Sequence, residues 1–233
     1  MLWLLAAASA APCSSTSIPE ISSLPSPGII VLGERKGTQP DLRRADRIVH
    51  ALQRTGQPIT IGLQAVSVDK QPVLDAYAAG EVEPGDLTTK LDWDHQWGFP
   101  YPPYAPLVTA AVHDHKVLGL GLPTEPKPQE ALIPIAPNYI RILSDAMSGH
   151  LMPPQLEGAF VQTVSWLDYR TTKAALDQWS GDGYLVLVVD RTQVEGGKGI
   201  PYQAARLSDI PVTSVLLAGE GACYDNDRFL PIR

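Results

Sequence analysis

Gly28-Ile29-Ile30-Val31-Leu32-Gly33 is a short apolar run, rich in β-branched side chains and closed by glycine at both ends. Such a run, bounded by turn residues, reads as a strand buried on both faces. Residues 40–54 follow as a helix, with Leu42, Ala45, Val49 and Leu52 recurring along one face. Arg43, Arg44, Asp46, Arg47 and Arg54 take much of the rest. Ile59-Thr60-Ile61-Gly62-Leu63 is the next apolar run. Strand, helix and strand within about 35 residues make a βαβ unit, so the two strands should be parallel.

The same reading extends through the chain. Residues 71–79 predict a short helix stopped by Gly80, and residues 86–93 another. Pro102 and Pro103 introduce a helix from Tyr104 to about His115, with Tyr104, Leu107, Val108 and Ala111 on its apolar face. Residues 116–122 read as a strand, and residues 124–137, with four further prolines, as a loop. Helices are expected at 138–149 and 157–180. Phe160, Val164, Leu167, Thr171 and Ala175 stand at near-helical spacing in the latter. Residues 184–189 and 213–218 are strands, and 229–232 a last edge strand. No internal repeat is present. The fold expected is one α/β domain with a mostly parallel sheet flanked by helices.

Composition agrees with that. The chain has 233 residues, 44% of them apolar and 18% charged, which suits a globular core. Eighteen Lys and Arg face 25 Asp and Glu, a formal net charge of -7. That balance argues against a nucleic-acid binder, which needs basic stripes to neutralise phosphates. Two cysteines make no disulfide framework. No apolar run approaches the length of a spanning helix.

The amino terminus reads as an export leader. Residues 2–11 are Leu, Trp, Ala and Ser, too short to cross a bilayer, and Ala8-Ser9-Ala10 offers small residues for cleavage. A second reading centres on Cys13, which precedes a polar Ser-Ser-Thr-Ser stretch and resembles a lipoprotein start; that would anchor the protein to a membrane. No Lys or Arg precedes the apolar run, and Pro12 stands where a small residue is usual before the cysteine. Residues 12–28, rich in Pro and Ser, are expected to be a tether outside the core.

Open parallel sheets bind ligands beyond the carboxyl ends of their strands. That rule selects Gly33, Glu34, Arg35 and Lys36 after the first strand, Gln64 after the second, and Asp190, Arg191, Thr192 and Gln193 after the strand at 184. Glu34 leads this set; its alternative role is a helix cap or an arginine partner. Residues 93–104 hold five aromatics, Trp93, Trp97, Phe99, Tyr101 and Tyr104, which either wall a flat ligand or pack a loop over the sheet. His50, His95, His113, His115 and His150 show no metal-binding spacing. Cys223 has no CxxC partner, and no nucleophile elbow, Walker loop or dinucleotide fingerprint appears.

Val73-Leu74-Asp75-Ala76-Tyr77-Ala78-Ala79-Gly80-Glu81, the Leu91–Tyr104 block with Trp97-Gly98-Phe99, and Val117-Leu118-Gly119-Leu120-Gly121-Leu122-Pro123 resemble the ChaN-like family, the haem-binding uptake, Tiki superfamily. Gly33-Glu34 and the later Gly199-Ile200-Pro201 fall in the family's order. The resemblance implies an exported or lipid-anchored periplasmic protein tied to haem or iron uptake, with a homodimer among the family's arrangements. Wider relatives are metal-dependent hydrolases.

The departures from that pattern bear on function. The resemblance expects Gly-Glu-x-His, and Lys36 stands in the histidine's place. It expects a carboxylate after Gly62-Leu63, where Gln64 stands, and a histidine eight residues before Pro201, where Gln193 stands. An ammonium repels a cation and an amide binds one weakly. The expectation is a binding protein with a dismantled metal site, in which Glu34 forms an ion pair with Lys36. Haem remains the implied cofactor, with Tyr101, Tyr104 and His95 as candidate ligands. A hydrolase using Glu34 and a protein-binding scaffold are the competing readings.

Overall fold

A computed structural model of the chain describes residues 14–96, 98–110, 115–125, 127–129, 133–147, 153–218, 224 and 227–230. Four strands of the sequence reading lie side by side in its sheet: β2 (Gly28–Glu34), β3 (Ile59–Ser67), β4 (Lys116–Gly121) and β5 (Tyr184–Asp190). With β1 (Ser14–Ser15), β6 (Val212–Leu216) and β7 (Arg228–Phe229), they make a sheet in the order β1-β7-β6-β2-β5-β3-β4, every neighbouring pair parallel. β5 lies between β2 and β3, so the first βαβ unit leaves a gap that a much later strand fills.

Both faces of the sheet are covered, which explains its near-continuous apolar strands. Ile30 and Leu32 on β2 and Val186 and Val188 on β5 point into one core. α2 (Gln39–Gln53) brings Leu42, Ile48, Val49 and Leu52 to that core. It also holds residues of α3 (Gln71–Ala78), α4 (Leu87–Lys90), α5 (Trp93–Gln96) and α6 (Ala105–Thr109). The alternate residues Ile29, Val31, Leu185, Leu187 and Val189 face a second core under α8 (Pro154–Gln178) and α9 (Ile200–Leu207). α7 (Tyr139–Ala146) packs on α8 through a smaller cluster of Tyr139, Ile142, Leu143 and Phe160.

Residues 14–27 overturn the tether expected over 12–28. Ser17 and Glu20 form a capping box that starts α1 (Ile18–Ser22). Ile21 is 2% exposed in the main core, Tyr184 donates its hydroxyl to the Leu24 carbonyl, and β1 adds an edge strand beside β7. The Pro and Ser content signalled turns and caps, and Ile21, with Ile18 and Leu24 three residues to either side, docks the segment. Residues 1–13 and the edge expected at 231–232 lie outside the described residues, as do Trp97, His113, His150 and Cys223. No helix among the described residues is long and apolar enough to cross a membrane.

Candidate functional site

Glu34 sits at the carboxyl end of β2, in register with Asp190 at the end of β5. It continues the inward face of Ile30 and Leu32 and is 3% exposed. Tyr104, at the start of α6, donates its hydroxyl to Glu34 Oε1 at 2.6 Å and accepts from the Gly37 amide at 3.0 Å. Glu34 Oε2 is buried with no hydrogen-bond partner. Burial pushes the carboxyl up to about 7; the Tyr104 bond opposes that rise, and the nearby Asp190 charge adds to it. Glu34, Lys36, Gln64, Ala65, Phe99 and Tyr104 line a small, partly open void of about 10 Å³. That is space for a single water and not for an organic ligand.

The ion pair expected between Glu34 and Lys36 does not form. Lys36 reaches across to Asp190, with Nζ 3.0 Å from Oδ2, at a half-exposed position. β2 and β5 are hydrogen-bonded neighbours, so a side chain just past β2 meets the end of β5, while Glu34 turns inward to Tyr104. The other Asp190 oxygen accepts from the Thr192 amide and hydroxyl and turns the chain into a short 3₁₀ segment, Arg191–Gln193.

That turn carries Gln193 back toward β3. Gln64 Nε2 donates to Gln193 Oε1 at 2.6 Å, and Gln193 Nε2 donates to Asp168 Oδ1 at 2.6 Å. Tyr139 donates to the other Asp168 oxygen at 2.8 Å. The direction of this chain is forced at one end. The Asp190 backbone N–H donates to Gln64 Oε1, and a backbone N–H can only donate. Each amide must then present nitrogen to the next oxygen, ending on the Asp168 carboxylate. Asp168 is wholly buried on α8, and burial raises its carboxyl to about 7.

Lys36, Gln64, Asp190 and Gln193 thus converge at the carboxyl ends of β2, β3 and β5. They line a cleft of about 410 Å³, completed by Thr192 and the apolar side chains Leu122, Leu143, Met147, Phe160, Val164 and Leu167. Glu34 opens on the small void beside it, and Lys36 and Gln64 border both. Asp168 and Tyr139 escaped sequence reasoning. The available signal was position: Asp168 precedes Thr171 and Ala175 by three and seven residues, in the buried stripe of α8, where a carboxylate needs a partner.

Of the candidate haem ligands, Tyr101 and Tyr104 meet on one tryptophan and His95 lies apart. Trp93 meets Tyr101 edge-on and Tyr104 at a tilt, each with ring centroids 5.1 Å apart, and donates its indole N–H to the Phe99 carbonyl, so the aromatic block packs the loop onto the core. The Tyr101 oxygen is buried without a partner, and burial raises its phenol to about 12. Tyr104 is committed to Glu34 and Gly37. His95 points outward, 84% exposed at its side chain, and pairs with Asp92 at 2.6 Å. Among the described residues no three His, Cys, Asp or Glu side chains converge in a way that could hold a metal ion.

Residues 21–129 match the profile of the haem-binding uptake, Tiki superfamily, ChaN family. Over that stretch the chain is similar to the family. Its fold is that of a Campylobacter jejuni ChaN solved in a study of cofacial haem binding: TM-score 0.68 at 18% identity, over 88% of this chain and 85% of that one. A MARTX toxin effector domain of Vibrio vulnificus, RRSP, shares the fold more distantly, with TM-score 0.52 and 18% identity over 86% of this chain but 36% of its own. The type III effector HopBA1 superposes with TM-score 0.50 and 8% identity, over 80% of this chain and 75% of that one. At such identities these likenesses establish a shared fold. No curated protein matches the sequence.

Proposed function

We propose that this chain is an exported, non-catalytic haem-binding protein of the ChaN type, in which Lys36, Gln64 and Gln193 stand where cation ligands are expected. The observation that carries the reading is the cleft at the carboxyl ends of β2, β3 and β5. Its volume of about 410 Å³ falls in the range of small-molecule sites. One side is apolar, through Leu122, Leu143, Phe160, Val164 and Leu167, and suits the flat face of a porphyrin. The other side is polar, and Lys36 suits a propionate. Met147 is, among the described lining residues, the one side chain of the types that ligate haem iron. Haem, when bound, supplies an iron centre able to exchange electrons.

The family match supports the ligand, and the apolar run at 2–11 supports export, with cleavage or attachment through Cys13. Tyr101, Tyr104 and His95 gain no support as ligands, because two phenol oxygens are buried away from the cleft lining and the imidazole faces solvent. Hydrolysis through Glu34 has less support, since the void it borders has room for about one water and is shared with Lys36 and the Gln64 amide.

Titrating the purified chain with haemin tests the reading. A Soret band shifted from that of free haemin, saturating at a fixed stoichiometry, is expected, and Tyr104→Phe should retain it. Spectra that remain the sum of protein and free haemin would remove the proposal.

A further inference from the structure

We infer that the cleft recognises a carboxylate, held by Lys36, on a ligand whose body is apolar, and that no metal in the ligand is needed for binding. The inference rests on the cleft as the ligand site and goes beyond haem as the ligand.

Each side-chain oxygen of Gln64, Gln193 and Asp190 in the polar floor already accepts a bond. Gln64 Oε1 accepts from the Asp190 amide, and Gln193 Oε1 accepts from Gln64. One Asp190 oxygen takes two donors from Thr192, and the other holds Lys36. Each glutamine has given one N–H to the chain and has a second. Lys36 is an ammonium with three N–H groups, half-exposed at the cleft. A floor that presents a lysine and amide N–H donors, with those glutamine and aspartate oxygens each already engaged in a bond, matches an anionic acceptor better than a cation.

The walls decide what the anion is attached to. Leu122, Leu143, Phe160, Val164 and Leu167 offer nothing to a sugar or a phosphate ester and favour a hydrocarbon or aromatic body. The class is therefore an amphipathic carboxylic acid, of which a porphyrin with propionates is one member and a medium-chain fatty acid another.

Asp190 gives the inference a signed test. A ligand carboxylate must share Lys36 with Asp190, and the two anions repel. Asp190→Asn should tighten carboxylate binding, whereas Lys36→Met should weaken it. Isothermal titration and fluorescence on the full chain would compare haemin, metal-free protoporphyrin IX, dodecanoate and methyl dodecanoate. Protoporphyrin is expected within about threefold of haemin, and the methyl ester about tenfold or more weaker than dodecanoate, the scale of a lost charged hydrogen bond. Lys36→Met should erase the preference for acid over ester.

Haemin bound without protoporphyrin or dodecanoate would overturn the inference while leaving the haem proposal standing. Dodecanoate bound with acid preference, and neither porphyrin bound, would uphold the inference and sink the haem proposal. If no probe binds, both fall. Equal binding of acid and ester, or weakening in both variants, overturns the inference.

Discussion

Glu34 behaves as an acid because of where its chain neighbours place it. One oxygen is held by Tyr104 and the other is buried and unbonded, so the charged form lacks the solvation it has in water. Its folded value of about 7 lies above the ordinary 4.5. Between those values the folded protein keeps a proton that the unfolded chain releases. Stability must therefore fall as pH rises from about 4.5 to about 7, and the loss is complete above that window. The gap corresponds to roughly 3 kcal/mol. Asp168, raised to about 7 from 3.8, acts in the same direction. Glu34→Gln keeps an oxygen for Tyr104 and removes the charge. Urea unfolding at pH 8 should show the variant more stable by about 1–2 kcal/mol, with part of the slope between pH 5 and 8 gone and the Asp168 share retained. An unchanged slope would show that Glu34 is not the strained carboxyl.

At the scale of elements, the strands and amphipathic helices could be read from pattern, and the links between them could not. Ile29-Ile30-Val31 and Leu185-Val186-Leu187 announce buried strands by composition, and α2 announces itself by its apolar face. β3 runs on to Ser67 where the sequence pattern ends near Gln64, because register with β4 resumes beyond an irregularity between Leu63 and Ser67. The Gln64–Gln193 bond joins residues 129 positions apart and exists because β5 inserts beside β3. No local pattern encodes such a pairing; topology does. Lys36 was legible as a cleft residue but not as the partner of Asp190, since both carboxylates lie within reach of β2's end. Gln193→Ala would leave Asp168 Oδ1 and Gln64 Nε2 without their partners. The expected loss in chemical unfolding is about 2–4 kcal/mol, from two buried polar groups left unsatisfied. A loss below about 0.5 kcal/mol would mean that water replaces the amide and the chain of bonds is not structural.

For the whole molecule, an all-parallel sheet with helices on both faces leaves one edge at which ligands can approach side chains from several strands. The carboxyl ends of β2, β3 and β5 form that approach, and the cleft lies between them and α7 and α8. The family fold is thus intact while the residues at its mouth form an interlocked set of amides, a lysine and carboxylates. We propose that this set does not hold a divalent cation. Calorimetric titration of the purified chain with Mn²⁺ and with Zn²⁺, in parallel with Glu34→Gln, tests it most directly. The account predicts no saturable heat at micromolar metal in either protein; micromolar binding in the native chain that Glu34→Gln abolishes would contradict it.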